Sequence, residues 1–326
     1  MQVSDVVTNK KMVILGTGGT IAGTATRAGD HTGYTAAQLG IAQLVAAVPA
    51  LAGSPFELLT EQVAQIDSKD MSFSVWRDLA GRVSHWLAQP EVLGIVITHG
   101  TDTLEETAYF LQALLHPAKP VVLTCAMRPA TALVPDGPQN LVDAVAVATH
   151  PGARGVVAVC AGVIHSAMDV QKVHPYRLDA FSSGDAGPIG YVEEGRLRLM
   201  RNWPLAPVDH TQAAIESIAM LPDEAAWPRV EIVMNYAGAS AAVVQALLAS
   251  GVQGLVVAGT GNATLHHALE AALHEAQAAG IPVVRATRCS EGRVLPTPDA
   301  AIPDSRGLSP VKARVALILS LLGKRP

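Results

Sequence analysis

Short apolar runs alternate with longer amphipathic stretches along the first half of the chain. The runs are continuous, rich in Val and Ile, and bounded by Gly or Pro, which is typical of buried strands in a parallel sheet covered on both faces. The predicted strands are residues 12–15, 93–98, 121–125 and 155–160. The stretches around them predict helices at residues 71–87, 103–115 and 138–150. This alternation predicts an open α/β sheet.

The pattern changes over residues 202–228, which lack a sustained period and contain four prolines: Pro204, Pro207, Pro222 and Pro228. We interpret this segment as a linker. Beyond it the alternation resumes, with predicted strands at 231–235 and 254–258 and helices at 240–250, 264–279 and 310–322. Ser309 is the expected N-cap of the last helix, and Pro310 suits its first turn. The predicted domains are a larger N-terminal α/β domain (1–201) and a smaller C-terminal α/β domain (229–326).

Composition excludes several classes of protein. The chain has 326 residues, of which 49% are hydrophobic and 16% charged, enough apolar material for two sizeable cores. The net charge is −5 and no basic stripe occurs, so nucleic acid is not an expected partner. No apolar run approaches the roughly 18 residues that a membrane span needs, so no membrane partner is expected. A small-molecule substrate is the remaining expectation.

The three cysteines, Cys125, Cys160 and Cys289, form an odd and sparse set. Such a set argues against a disulfide framework and fits a reducing compartment. Cys125 and Cys160 end apolar runs and are predicted to be buried structural thiols. The predicted location is the cytoplasm, with an exported form that has lost a leader left open.

Two polar loops follow predicted strands. Residues 16–23 read GTGGTIAG after the first strand, and residues 98–103 read THGTDT after the second. In open α/β sheets, ligands bind beyond the carboxyl ends of the strands. We therefore expect the two loops to converge on one pocket.

The residue types in these loops suit nucleophilic catalysis. Glycines such as Gly19 and Gly100 let the backbone approach a ligand closely, and their N–H groups can stabilise an oxyanion or a carboxylate. Thr20 is placed to attack, but a hydroxyl is a weak nucleophile until a base assists it. A lysine held near Thr101 and Asp102 would supply that base through a hydroxyl, because a desolvated lysine loses its proton more readily. Lys172 is the candidate.

Each feature has another interpretation when it is taken alone. The glycine-rich loop could cradle a phosphate, although it fits neither the dinucleotide-binding spacing nor the P-loop, which needs a lysine. Thr20 could cap a helix, and Asp102 could cap the helix predicted from residue 103. Lys172 could be a solvated surface charge.

The two loops are similar to the two signature motifs of the bacterial L-asparaginases. Further segments resemble that family in the same order along the chain: residues 66–71 (IDSKDM), 126–129 (AMRP), 136–141 (DGPQNL), 235–237 (NYA) and 312–314 (KAR). The resemblance covers essentially the whole chain. It implies the asparaginase two-domain α/β fold, a homotetramer with sites completed across subunits, and no metal or cofactor.

The resemblance also implies a reaction and its residues. Thr20 would attack the side-chain amide of L-asparagine, so that an acyl-enzyme forms and L-aspartate and ammonia are released; some glutaminase activity is left open. Tyr34 would stand beside the nucleophile on a lid (residues 27–35) that excludes water. Thr101, Asp102 and Lys172 match the second catalytic triad. Ser68 matches a contact to the substrate carboxylate, and Asp102 would also bind the substrate amino group.

Three positions on the amino-group side depart from the family pattern. Lys69, a candidate substrate-binding residue beside Ser68, stands where Gln or Glu is common. Its cation would repel the substrate ammonium if it faced inward, or it faces solvent. Gly238 stands where Asn is common. Asp299 is the best match to an acidic residue supplied late in the chain. These departures predict weaker substrate affinity.

Other functions are less well supported by the sequence. Ser240, in GASAA, resembles a degraded nucleophile elbow, but that fold needs an acid and then a histidine after the serine. Only Glu270 and His274 follow in that order, on one predicted helix, so Ser240 is predicted to be a helix N-cap. His266 and His267 are adjacent and would point about 100° apart on a helix, which does not suit zinc. A binding protein that keeps the fold without catalysis is the remaining alternative.

Overall fold

A computed structural model of the chain describes residues 10–27, 29–204, 221–223, 226–297 and 300–323. The chain divides into two compact units. In described residues, unit 1 comprises 10–183 and 187–204, and unit 2 comprises 184–186 and the residues from 221 onwards. Most of the predicted linker, 202–228, lies outside the described residues, so the predicted domain boundaries stay a prediction.

The elements of unit 1 include twelve strands and four α-helices within the described ranges. The strands are β1 (Lys11–Gly18), β2 (Thr24–Ala25), β3 (Tyr34–Thr35), β4 (Glu57–Ile66), β5 (Val92–Thr98), β6 (Pro120–Thr124), β7 (Gly155–Cys160), β8 (Val163–Ser166), β9 (Gln171–Lys172), β10 (Phe181–Ser182), β11 (Gly190–Glu193) and β12 (Arg196–Leu199). The helices are α1 (Ile41–Ala46), α2 (Phe73–Leu87), α3 (Leu104–Leu115) and α4 (Gly137–Ala148).

Eight of these strands form one sheet in the order β12-β11-β8-β7-β6-β5-β1-β4. β1 lies between β4 and β5 and is parallel to both. Met12 and Ile14 of β1 pack in a core cluster with Leu141 of α4. Successive side chains of a strand point to opposite faces, so Val13 and Leu15 fill the other face of the sheet. Burial on both faces explains why this strand is continuously apolar.

The four strands predicted for the parallel sheet are parallel, and the sheet also has an antiparallel part that the sequence pattern did not predict. The strands from β4 to β7 are parallel, but β7–β8, β8–β11 and β11–β12 are antiparallel. Two of these three pairings, β7–β8 and β11–β12, are tight hairpins. Ala161-Gly162 and Glu194-Gly195 all have positive φ, and such two-residue turns match the twist of paired antiparallel strands.

The predicted helices of unit 1 are confirmed with shifts of one or two residues at their ends. α2 begins at Phe73 because Ser72 is its N-cap and accepts a hydrogen bond from the N–H of Val75. Cys125, directly after β6, and Cys160, the last residue of the adjacent strand β7, are buried free thiols, as predicted. Their sulfur atoms lie 3.1 Å apart.

Unit 2 contains a three-stranded parallel sheet in the order β13-β14-β15. Its elements are β13 (Val230–Met234), α5 (Ala242–Ala249), β14 (Gly254–Gly259), α6 (His267–Ala278), β15 (Val283–Thr287) and α7 (Pro310–Leu321). Val233, Leu255 and Leu273 are among the residues of its core. Ser309 caps α7 by accepting a hydrogen bond from the N–H of Lys312, as predicted. Within the described ranges, no helix is long and apolar enough to cross a bilayer.

Candidate active site

The two polar loops leave neighbouring strands at the same edge of the sheet and touch each other through their backbones. Gly16 of β1 is in register with Thr98 of β5, so both chains continue into their loops side by side. A Cβ atom at Gly19 would lie 2.3 Å from the Cα atom of Gly100. No side chain fits in that space, so the glycines bring the loops together.

Gly19 does not offer its N–H to a ligand, in contrast to the expectation. Its N–H donates to the carbonyl of Ile66 (2.9 Å), and its carbonyl accepts the N–H groups of Ala22 and Ala37. The role that the structure supports for Gly19 is close approach to Gly100. Gly100 accepts a hydrogen bond on its carbonyl from His99, and its N–H remains the predicted substrate contact.

Thr20 is the first residue of a short 3-10 helix, Thr20–Ala22, and the residue is 7% exposed. Gly19, not Thr20, occupies the N-cap position, so the capping interpretation of Thr20 does not apply. The Thr20 Oγ1 atom lies 2.7 Å from the hydroxyl of Tyr34. Tyr34 reaches it because β3 pairs with β2 in an antiparallel hairpin that begins only one residue after Gly23. The predicted pair of nucleophile and tyrosine is therefore in contact.

Lys172 joins the two residues of the second loop. Its Nζ donates to Thr101 Oγ1 (2.8 Å) and to Asp102 Oδ1 (2.6 Å). Thr101 Oγ1 in turn lies 3.5 Å from Asp102 Oδ1. The Lys172 side chain is only 17% exposed, so it is not a solvated surface charge. Asp102 directs its carboxylate to Lys172, and the N-cap of α3 is Thr103.

Ser68 connects a third loop to this group. It lies in the 3-10 helix Ser68–Asp70 that follows β4, and it is 2% exposed. Its hydroxyl oxygen accepts the N–H of Asp102 (3.1 Å), and its carbonyl accepts the hydroxyl of Thr103 (2.8 Å). A serine that accepts one hydrogen bond still carries a proton to donate. Ser68 therefore suits the predicted contact to a substrate carboxylate.

Family models match both parts of the chain. The model of the N-terminal asparaginase domain matches residues 11–205, and the model of the glutaminase/asparaginase C-terminal domain matches residues 229–325. The chain belongs to the asparaginase family. The predicted enzyme class, an amidohydrolase, is confirmed with it.

Individual asparaginases are similar over nearly the whole chain. L-asparaginase 2 of Bacillus subtilis is 38% identical over 94% of this chain and 81% of the relative. The glutaminase-asparaginase of Pseudomonas fluorescens is 38% identical over 98% and 89%. The structure of a probable cytoplasmic L-asparaginase from Campylobacter jejuni is 37% identical and superimposes with a TM-score of 0.86, covering 96% of this chain and 95% of that one. The predicted two-domain asparaginase fold is confirmed.

Lys69, at which this chain departs from the asparaginase pattern, faces solvent. Its ammonium group lies 2.7 Å from Asp70 and 3.4 Å from Asp67, and its side chain is 61% exposed. The hydrogen bond to Asp70 raises the pKa of Lys69. The structure thus matches the solvent-facing alternative and does not support the predicted substrate contact.

The two other departures lie in unit 2. Asp299 is outside the described residues, so its role stays a prediction. Gly238 has a φ of +77°, and no atom lies within 4 Å of the position a Cβ would take. The positive φ suits glycine, or asparagine among residues with a side chain, which is consistent with the residue expected there.

His99 is a residue of this asparaginase site that sequence reasoning overlooked. It is fully buried, and its Nδ1 lies 2.7 Å from the carbonyl of Gly100, so Nδ1 carries the proton and donates it. Its Nε2 atom has no hydrogen-bond partner among the described residues. Burial lowers the pKa of His99 to about 4, so the ring is neutral near pH 7. Its place inside the THGTD motif was the signal that could have revealed it.

The rival sites are not assembled within the described residues. Ser240 is one residue too early to be the N-cap of α5, which is Ala241, and its hydroxyl accepts the N–H of Ala242 at 3.4 Å. His266 and His267 stack with ring centroids 4.3 Å apart. Among the described residues, no group of three His, Cys, Asp or Glu side chains could hold a metal ion. The Nδ1 atom of His274, the histidine that a nucleophile elbow would need, pairs with Oε1 of Gln277 (3.0 Å) on its own helix.

Proposed function

We propose that this chain hydrolyses the side-chain amide of L-asparagine to L-aspartate and ammonia, with Thr20 as the nucleophile. The Thr20 hydroxyl oxygen attacks the amide carbon, the C–N bond breaks, and ammonia leaves with the proton that Thr20 loses. Water then attacks the resulting ester, restores the hydroxyl and releases L-aspartate. Membership in the asparaginase family supports the reaction.

The observation that carries the residue assignment is the position of Lys172. Its Nζ lies within hydrogen-bond distance of both Thr101 and Asp102, on a loop whose backbone packs against the loop of Thr20. Lys172 would enter the step as a neutral amine: it accepts the proton of Thr101 while Thr101 takes the proton of a hydroxyl or a water, and Asp102 neutralises the lysine cation that results. Tyr34, at 2.7 Å from Thr20, is placed to accept or return the proton of the nucleophile.

Substrate contacts follow from the same loops. Asp102 is half exposed, so one face of its carboxylate is open to the ammonium of an amino acid. Ser68, directly behind the N–H of Asp102, would donate to the substrate carboxylate. Gly100 would contribute its backbone N–H. Lys69, which points to solvent, is left out of this set.

The decisive experiment measures ammonia release from L-asparagine by Thr20→Ala and Thr20→Ser. Loss of the hydroxyl proposed to form the ester should lower kcat by several orders of magnitude, whereas Thr20→Ser retains a nucleophile and part of the activity. Circular dichroism checks that both variants fold. Ammonia release by Thr20→Ala at near the native rate would contradict the assignment.

We also propose some glutaminase activity, because similar proteins include enzymes named glutaminase-asparaginase. One methylene separates the two substrates, and a hydrophobic pocket distinguishes such a difference by only about 1–3 kcal/mol. The ratio of kcat/KM for asparagine to that for glutamine measures the preference. A ratio above about 200 would exceed what one methylene accounts for, and would indicate a contact in the site that selects against glutamine.

A cytoplasmic homotetramer is the proposed form of the enzyme. Similar proteins are described as cytoplasmic in one case and periplasmic in another, and the free buried thiols Cys125 and Cys160 suit a reducing compartment. Exposed apolar side chains of unit 1, which suit an interface between subunits, are Met168, Val173, Tyr176, Leu199 and Met200. Light scattering should give four times the 33.9 kDa mass of one chain, and cell fractionation tests the compartment.

A further inference from the structure

The β2–β3 hairpin, which carries Tyr34, is attached to a neighbouring loop along one edge. The carbonyl of Gly23 accepts the N–H of Ala130 (2.9 Å), and the N–H of Ala25 donates to the side-chain oxygen of Thr131 (2.8 Å). Backbone groups two residues apart on an extended chain point to the same side. The two bonds therefore lie on the outer edge of β2, opposite the edge that pairs with β3.

The loop that receives this edge is itself held in place. The carboxylate of Asp136, at the N-cap position of α4, accepts the N–H groups of Met127 (2.9 Å) and Arg128 (3.0 Å). A turn bond from the N–H of Ala132 to the carbonyl of Pro129 (2.9 Å) closes the segment that contains Thr131. The Thr131 hydroxyl is therefore presented by a supported loop, although it lies at the surface.

We propose that Thr131 is a positioning residue that holds the β2–β3 hairpin closed over Thr20. Ala25 is paired with Tyr34 across the hairpin, so the bond to Thr131 fixes the strand whose partner carries the tyrosine. Without the bond, Ala25 exchanges its partner for water, and Tyr34 spends less time at 2.7 Å from Thr20. The bond is exposed, so its loss changes the closed fraction of the hairpin and leaves the fold intact.

The expected effect of Thr131 on KM and kcat rests on the proposed role of Thr20. Substrate that binds only the closed form has an apparent affinity reduced by the closed fraction. Saturating substrate restores closure, because its own contacts add to those of the hairpin. Loss of the Thr131 bond therefore raises KM and leaves kcat largely unchanged.

The test compares Thr131→Val, which is nearly isosteric but lacks the acceptor, with Thr131→Ser, which keeps it. Thr149→Val is the matched control, because Thr149 also makes a side-chain hydrogen bond (to the carbonyl of Val145, 2.9 Å) but lies at the far end of α4. Two measurements report the hairpin without activity: hydrogen exchange at the amide of Ala25, and tryptic cleavage after the exposed Arg27. A third measures KM and kcat with L-asparagine.

For Thr131→Val we expect exchange and cleavage each to rise roughly three- to tenfold, the range that corresponds to one ordinary hydrogen bond. KM should rise by less than about twofold, because the closed hairpin predominates and its fraction changes little. Thr131→Ser and Thr149→Val should resemble the wild type. Unchanged exchange and cleavage in Thr131→Val, or an equal effect of Thr149→Val, would overturn the proposal. If wild-type protein releases no ammonia from asparagine, the proposed function fails, and the exchange and cleavage rates still decide the role of Thr131.

Discussion

The contact between Gly19 and Gly100 makes a sharp prediction, because it joins the two catalytic loops without any side chain. In Gly19→Ala the added Cβ would lie 2.3 Å from the Cα and 2.5 Å from the N of Gly100. Both are backbone atoms, so no side-chain rotation relieves the overlap. Gly19 also has φ 80° and ψ −172°, a conformation that is essentially confined to glycine. The two loops must therefore move apart in the variant.

The variant Gly152→Ala serves as a control for the free-energy cost of the overlap between the loops. Gly152 also has a φ of +80°, but no atom lies within 4 Å of its added Cβ. Both variants carry the strain of a positive φ, roughly 1–3 kcal/mol, and both gain about 0.4–1 kcal/mol from a stiffer unfolded chain. Overpacking at Gly19 alone adds roughly 1–3 kcal/mol. Gly19→Ala should therefore lose about 1–3 kcal/mol more free energy of unfolding than Gly152→Ala.

Urea unfolding measures the stability difference, and ammonia release from L-asparagine measures the displacement of the loops. Gly152→Ala should retain the native rate, because it lies in a turn between α4 and β7. Gly19→Ala should lose activity by at least a hundredfold at temperatures where it is still folded, since a displacement of about 1 Å in a catalytic site has that effect. Equal stability losses in the two variants, or native activity in Gly19→Ala, would refute the reasoning.

Three further predictions follow from the same site. Thr101→Val and Lys172→Met should each depress kcat strongly, and the double variant should be little worse than either single one; additive losses would argue against a shared relay. Burial lowers the pKa of His99 to about 4, below the unfolded value near 6.5. The unfolded chain therefore binds more protons in this interval, and the free energy of unfolding should fall by on the order of 3 kcal/mol as the pH drops through it. His99→Gln should lack this pH dependence. Lys69→Gln should leave KM for asparagine unchanged even at low ionic strength, because its ammonium is held by Asp70 at the surface; a lower KM would place the lysine in the site.

Much of the fold of unit 1 was predictable because a strand buried on both faces must be apolar throughout. That rule identified the parallel strands around β1. It could not identify β4, which is an edge strand whose polar residues alternate with partly buried ones. It also gave no direction to the strands after β7, since their antiparallel course depends on two residues of positive φ, Ala161 and Gly162, in a tight turn.

The chemistry of the site was likewise only partly visible in the chain. Thr20, Thr101 and Asp102 could be proposed because each follows a buried strand at the edge where parallel strands end. The contact of Thr20 with Tyr34 needed the β2–β3 hairpin. The orientation of Lys69 depended on which of its neighbours offered a carboxylate at the surface.

Local sequence determined the strand ends, the glycine-rich turns and the residue types of the two loops, because hydrophobic burial and backbone freedom act over a few residues. Only the tertiary structure decided which side chains are hydrogen-bonded to one another. Lys172 is 71 residues from Thr101 along the chain, yet its Nζ lies 2.8 Å from the Thr101 hydroxyl. A hydrogen bond requires placement within a few tenths of an ångström. That precision comes from the packing of the sheet, to which the turn before β9 is joined by the bond from the N–H of Val170 to the carbonyl of Ser166 at the end of β8 (2.9 Å).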